Sequence, residues 1–163
     1  MKLAYLGLGT NLGDRQANLL QAIQLLASDR VIIKRVSSVW ETAPREILDQ
    51  PIFLNQVIEV ETDLFPRQLF DRGKQIERKM GRVRSQPKGP RLIDIDVLLY
   101  GNAVVSTPTL EIPHPGIPDR RFVLEPLAEL VPGLRHPVKK RTVRQMLSSV
   151  ASQDVHKFPS APL

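Results

Sequence analysis

Asp94 and Asp96 stand one residue apart in the segment RLIDIDVLLYG, residues 91–101. On an extended chain, residues at that spacing point the same way. Leu92, Asp94, Asp96, Leu98 and Tyr100 share one side, and Ile93, Ile95, Val97 and Leu99 the other. Same-face neighbours in a strand lie roughly 6.5–7 Å apart, so the two carboxylates project in parallel from one surface. Asp is disfavoured in strands, and like charges side by side repel, so a group of opposite charge is expected between or above them. Just upstream come Arg82, Arg84, Lys88 and Arg91, in a segment broken by Gly81, Pro87, Gly89 and Pro90. Acids on a rigid strand beside a mobile arginine-rich loop suit a polyphosphate carrying a divalent metal. The carboxylates take the metal and the guanidinium groups take the phosphate oxygens. Taken singly, an Asp-x-Asp on an edge strand can merely discourage aggregation, and a basic loop is ordinarily just solvated. Their adjacency is what points to a site.

The elements that must hold this pair follow from periodicity. Lys2–Gly9 is a short apolar run expected to be a buried first strand, and Gly7, Gly9, Thr10, Asn11 and Gly13 are expected to form the turn after it. The third glycine is one place late for a dinucleotide-binding Gly-x-Gly-x-x-Gly, and no acidic residue closes a second strand at the right distance. Asp14 opens a helix whose buried face carries Leu19, Ile23 and Leu26. Val31–Trp40 is expected to be a strand, 41–51 a loop, and Phe53–Thr62 a third strand. On that strand Phe53, Asn55, Val57 and Glu59 share one face, and Leu54, Ile58 and Val60 the other, interrupted by Gln56. Pro66 fits the first turn of a second helix running to about Met80, with Leu69, Ile76 and Met80 as its core stripe and Gly81 as terminator. The aspartate strand completes the order βαββαβ. This predicts an α+β, ferredoxin-like antiparallel sheet with helices packed on it. A proline-rich connection (Pro108, Pro113, Pro115, Pro118), a helix from Asp119 to about Leu130 and another capped by Thr142 form a C-terminal helical extension. Residues 153–163 read as a frayed tail.

At 163 residues the chain is expected to be one domain, 1–163, long enough for a proper core. No apolar run approaches the ~20 residues needed to span a bilayer, and the N-terminus lacks the pattern of a secretory signal. The absence of cysteine excludes disulfides and cysteine-bound zinc, and agrees with a cytoplasmic location. The formal charge of +6 favours anionic partners, nucleic acid or nucleotide alike.

The motifs LGLGTNLGDR at 6–15, SSVWETAP at 37–44, FLNQV at 53–57, GRVR at 81–84, GPRLIDIDVLLYG at 89–101, IPHP at 112–115 and RRFVLEPL at 120–127 occur in this order. In them the sequence resembles the 6-hydroxymethyl-7,8-dihydropterin pyrophosphokinase family of the folate pathway, over about 3–132. Gly-Pro-Arg followed by Asp-x-Asp, with Pro-His and Arg-Phe-Val-Leu downstream, is the specific part. The resemblance implies a magnesium-dependent transfer of the terminal diphosphate of ATP to the hydroxymethyl group of a reduced pterin, leaving AMP. It implies that Asp94 and Asp96 hold two Mg²⁺ ions, that Arg82, Arg84 and Arg91 grip the phosphates in catalysis, and that Glu77, His114 and Arg120 lie on the nucleotide side. Thr42, Phe53, Asn55 and Phe122 are implied for the pterin. Two aromatic faces can sandwich a flat bicycle, and an amide can offer donor and acceptor to its edge. Arg121, next to Arg120, is read as an ordinary solvated arginine, since Arg120 takes the matching place.

The sequence departs from the family pattern in two places. Lys88 stands where relatives usually carry a tryptophan, in a loop one residue shorter, and Arg45, Glu46 and Ile47 after Pro44 are unlike most relatives. An aromatic lid and a pterin contact from the second loop are therefore not carried over. Two other functions compete. An RNA-binding module of this fold would present stacking aromatics on its sheet, whereas this chain has only one Trp, two Tyr and five Phe and places two aspartates on a strand. A two-metal nucleotidyltransferase would release pyrophosphate from ATP rather than AMP. The expected partners are thus small molecules, ATP and a reduced pterin, with no nucleic acid and no membrane, and the protein is expected to be a monomer.

Overall fold

The computed structural model describes residues 1–42, 51–81 and 92–159. β1 (Lys2–Thr10) is the central strand. It pairs antiparallel with β4 (Phe53–Thr62) on one side and with β5 (Asp94–Tyr100) on the other. β2 (Val31–Val36) and β3 (Trp40–Thr42) both pair with β4, and β8 (Val155–Lys157) adds to the outer side of β3. The sheet order is therefore β5-β1-β4-β3-β8, with β2 beside β4. This is the expected ferredoxin-like core, with β2 and β3 sharing the place of its second strand. The single strand expected over 31–40 is divided because one extra residue enters opposite β4. Val36 faces Ile58, yet Trp40 faces Asn55. Ser37 occupies the break, where its N–H donates to Val57 O and its hydroxyl accepts from Val57 N, both at 2.9 Å. A serine side chain here completes the ladder that the bulge interrupts.

Alternation along β1 and β4 sorts two cores to opposite faces. Ala4, Leu6 and Leu8 join Leu54, Ile58 and Val60 beneath α1 (Arg15–Leu26) and α2 (Pro66–Lys79). Tyr5, Val57, Leu98 and Leu99 pack on the other face against α3 (Arg121–Leu130) and α4 (Val143–Ser148). The helix signals act as expected. The Asp14 carboxylate accepts from Ala17 N at 3.2 Å, Pro66 begins α2, Gly81 follows it with φ +87°, and Thr142 caps α4.

Three local expectations are corrected. First, β1 runs through Thr10, so Gly7 and Gly9 are strand residues rather than turn residues. Second, β5 carries a register shift opposite Tyr5 and Leu6: Tyr5 faces Leu99 but Leu6 faces Val97. The extra residue reverses the alternation beyond Leu98, so Leu99 packs on the face of Leu98 and Tyr100 joins the core beneath α1 and α2. Third, the tail does not fray at residue 153. Val155 is buried, β8 pairs residue for residue with β3, and Phe158 N donates to Val39 O at 2.8 Å. A three-residue strand carries no periodicity of its own; it exists because β3 offers an open edge. A small hairpin, β6 (Val105–Ser106) and β7 (Glu111–Ile112), occupies the proline-rich connection. Among the described residues no helix is long and apolar enough to cross a membrane.

Candidate active site

α3 and α4 bury the end of the second face that carries Tyr5, Leu98 and Leu99. Toward the other end the sheet presents a row of residues in register across four strands: Trp40 on β3, Asn55 on β4, Gly9 on β1 and Asp94 on β5. The next row holds Val57, Gly7 and Asp96. At the usual strand spacing, Asp94 and Asn55 lie about 10 Å apart with only a glycine between them. A Cβ at Gly9 would come within 3.2 Å of Asn55 Oδ1. β1 thus contributes no side chain of its own to the floor between the acid pair and the amide; Asn55 leans over Gly9, and the Leu98 side chain lies over Gly7. The glycine alternation at 7 and 9 is the sequence signal of that floor, and reading those glycines as a turn concealed it.

Asp94 and Asp96 share this face as expected, and both are partly exposed. Burial, followed by the charge of Asp94 alongside, pushes the Asp96 carboxyl up to about 7, against the opposing pull of Lys74 and Arg120. Two carboxyls this close resist being ionised together. A divalent cation would relieve that repulsion, and hard carboxylate oxygens are suitable donors for magnesium. The described residues contain no cluster of three or more His, Asp and Glu side chains able to hold a metal. Magnesium characteristically keeps water and phosphate oxygens in its shell and needs only one or two carboxylates. The acid pair fits that manner of binding.

The backbone between the aspartates is held from behind. Glu77, with its side chain only 3% exposed, accepts from Ile95 N at 2.7 Å. Lys74 Nζ lies 3.1 Å from Glu77 Oε2 and 3.5 Å from Ile95 O. α2 thereby supplies hydrogen-bond partners to the outer edge of β5. Gly73 permits the approach, since a Cβ there would meet Ile95 Cγ2 at 3.0 Å.

His114 follows β7, and its N–H donates to Leu98 O at 2.9 Å. Nδ1 accepts from Gly116 N at 3.0 Å, so the neutral ring carries its proton on Nε2, the nitrogen 4.0 Å from Asp96 Oδ2. Burial, helped by the charge of Arg120, holds this imidazole below its ordinary value. Arg120 stands between the 3₁₀ turn Ile117–Asp119 and α3, its guanidinium 5.7 Å from the centre of the Phe122 ring. Asp94, Asp96, His114, Arg120 and Phe122 are therefore linked by proximity and charge. On the opposite side lie Thr42 at the end of β3, Phe53 at the start of β4, and Asn55. Asn55 is 7% exposed, and among the described residues its buried Nδ2 has no hydrogen-bond partner. Arg82, Arg84, Lys88 and Arg91 lie outside the described residues, as do Arg45, Glu46 and Ile47.

Comparison with known proteins gives a consistent result. The family model described as 7,8-dihydro-6-hydroxymethylpterin-pyrophosphokinase matches residues 5–132. The 2-amino-4-hydroxy-6-hydroxymethyldihydropteridine pyrophosphokinase of Methylorubrum extorquens is 41% identical over 160 residues, covering 96% of this chain and 99% of its own. That of Bacillus subtilis is 43% identical over 129 residues, 78% of this chain and 77% of its own. The folic acid synthesis protein fol1 of Schizosaccharomyces pombe is 38% identical over 160 residues, where this chain spans 98% of itself but only 22% of that longer protein. Among solved structures, Plasmodium falciparum HPPK-DHPS with pteroate superposes with a TM-score of 0.73 at 18% identity, covering 91% of this chain and 42% of that one.

Proposed function

The chain belongs to the 7,8-dihydro-6-hydroxymethylpterin-pyrophosphokinase family, and we propose accordingly that it transfers the terminal diphosphate of ATP to the hydroxymethyl group of 6-hydroxymethyl-7,8-dihydropterin, releasing AMP and the pterin diphosphate for folate synthesis. The observation that carries this reading is the stretch of β1 without side chains at Gly7 and Gly9, with an acid pair on one side and, on the other, a buried amide whose Nδ2 has no hydrogen-bond partner among the described residues. A flat heterocycle can rest at the amide, and its alcohol can extend over backbone toward phosphates held at the acids.

In this reading Asn55 Nδ2 donates to an acceptor on the pterin edge, Phe53 and Phe122 cover its faces, and Thr42 borders it. Asp94 and Asp96 hold Mg²⁺, two ions in the family scheme. The metal supplies charge neutralisation on the phosphates and a lowered pKa for the attacking hydroxyl. Arg82, Arg84 and Arg91 bind the β- and γ-phosphates, and Arg120 and the Nε2–H of His114 add donors on the nucleotide side. Glu77 serves that side by fixing the strand that carries both acids. Diphosphoryl transfer then proceeds by in-line attack of the hydroxyl oxygen on the β-phosphorus. A P–O bond to the AMP oxygen breaks as the new one forms, and catalysis is chiefly alignment and charge dispersal. The proposal extends to one domain over 1–163, acting as a cytoplasmic monomer on small molecules alone, without nucleic acid or membrane.

The test is product analysis with ATP, magnesium and the reduced hydroxymethylpterin. AMP is expected in equal amount to pterin diphosphate. ADP, or pyrophosphate with an adenylated pterin as a nucleotidyltransferase would give, would overturn the assignment.

A further inference from the structure

An N-cap position is ordinarily filled by a short side chain whose oxygen accepts a backbone N–H of the first turn. At α3 that position is Arg120, extended at φ −124° and ψ 104°, which supplies no side-chain cap. A guanidinium has no acceptor to offer. The missing oxygen comes instead from Gln153, far along the chain. Its Oε1 accepts from Arg121 N at 2.8 Å, and its Nε2 donates to Asp119 O at 2.7 Å. One amide thus bridges the peptide groups on both sides of Arg120. Arg121 returns the connection, donating from Nη1 to Gln153 O at 2.8 Å and Ala151 O at 3.0 Å, and from Nε to Glu125 at 2.7 Å. Two residues beyond Gln153, β8 begins its pairing with β3. Arg120 itself is left to lie over the Phe122 ring and beside Gly116, where a Cβ would come within 2.7 Å of its Nε.

We propose that Gln153 is a positioning residue for the nucleotide side of the site. By capping α3 from outside and holding the peptide groups on both sides of Arg120, it fixes the direction in which the guanidinium leaves the chain. The inference rests on the reading of Arg120 as a nucleotide contact, and the experiment separates the two.

ATP affinity in the presence of magnesium is measured by calorimetry, with the ATP KM, kcat and melting temperature, for the full chain. Gln153→Ala is expected to weaken ATP binding about five- to tenfold, as loss of preorganisation by two neutral hydrogen bonds would. Gln153→Glu keeps the acceptor for Arg121 N and is expected to fall between the two, so it stands in if the alanine variant folds poorly. Thr142→Ala removes the cap of α4, away from Arg120, and is expected to lower the melting temperature without changing ATP affinity. In an Arg120→Ala background the effect of Gln153→Ala is expected to vanish, because it acts through that side chain. Unchanged ATP affinity in Gln153→Ala, an equal change in Thr142→Ala, or full additivity with Arg120→Ala would each overturn the inference while leaving the function standing. Arg120→Ala with undiminished ATP affinity would remove the nucleotide role of Arg120 and the inference with it.

Discussion

At the scale of single residues, the structure turns on two neighbouring carboxyls whose mutual repulsion a cation would relieve. Replacing either acid by the isosteric amide, Asp94→Asn or Asp96→Asn, weakens magnesium binding while preserving shape. Turnover is expected to fall by about two to three decades, on the order of 3–4 kcal/mol of lost transition-state stabilisation. Turnover against magnesium concentration checks this, and a folded variant with wild-type turnover would mean the pair does not hold the metal. The pH dependence has a definite sign. Asp96 is raised from 3.8 to about 7 in the folded state. The folded protein therefore binds the proton more tightly, and stability is withdrawn as pH rises through that window, then levels off above it. Metal-free Asp96→Asn is thus expected to gain melting temperature relative to wild type from about pH 4 upward, with the difference constant above about pH 7. Melts across that range that run parallel for the two proteins would contradict the burial and repulsion assigned to Asp96.

Among elements, β1 matters most, because its glycines are what a ligand would lie on. Glycine inside a strand is ordinarily a liability of about 0.5–1 kcal/mol relative to alanine. Gly9→Ala is therefore expected to leave the melting temperature nearly unchanged, since the propensity gain offsets the tight 3.2 Å approach to Asn55 Oδ1. It is expected to raise the pterin KM about tenfold by displacing the amide and filling the floor. Gly7→Ala, whose Cβ would first meet Leu98 at an ordinary 3.4 Å, is expected to have the smaller effect. Equal pterin KM values for Gly9→Ala and wild type would show that the floor is not where the substrate rests. Much of this architecture was legible in the sequence. The Asp14 cap, Pro66, Gly81, the stripe of Leu69, Ile76 and Met80, and the alternation from Ile93 to Leu98 are local signals that tertiary packing left intact. The shared face of Asp94 and Asp96 was legible through strand alternation, and the nearness of His114 to Asp96 agrees with the order of the motifs. What was not legible depends on partners distant in sequence: β8 needs the edge of β3, the reversal after Leu98 needs β1 opposite it, and the floor is visible only once β4 and β5 flank Gly9. The cap supplied by Gln153 is of the same kind.

Across the whole molecule, one buried charge ties three strands together. Glu59 on β4 takes a hydrogen bond from Tyr5 on β1 at 2.7 Å and paired bonds from Arg35 on β2 at 2.8 and 3.1 Å. The Arg35 hydrogen bonds outweigh burial and hold the Glu59 carboxyl below its ordinary 4.5. Its contribution to stability is therefore complete above that value and is lost as pH falls through the folded one. Glu59→Gln is expected to cost about 1–3 kcal/mol at pH 7, the scale of a hydrogen bond to a charged group, because Arg35 remains half exposed and can turn to water. The penalty is expected to shrink below pH 4, and denaturant melts at pH 7 and pH 3 read the difference.

The central place of β1 also gives the site an order of assembly. Gly9 meets Asn55 through one antiparallel pairing and Asp94 through another much farther along the chain. Loop closure costs more for the longer span, and contacts between distant segments form late. The amide side of the site is thus expected to form before the acid strand docks. Pulse-labelled hydrogen exchange during refolding is expected to protect β1–β4 amides before those shared by β1 and β5. The two aspartates come to lie against the sheet only when β5 docks, so the cost of burying their charge is expected to fall on that later step.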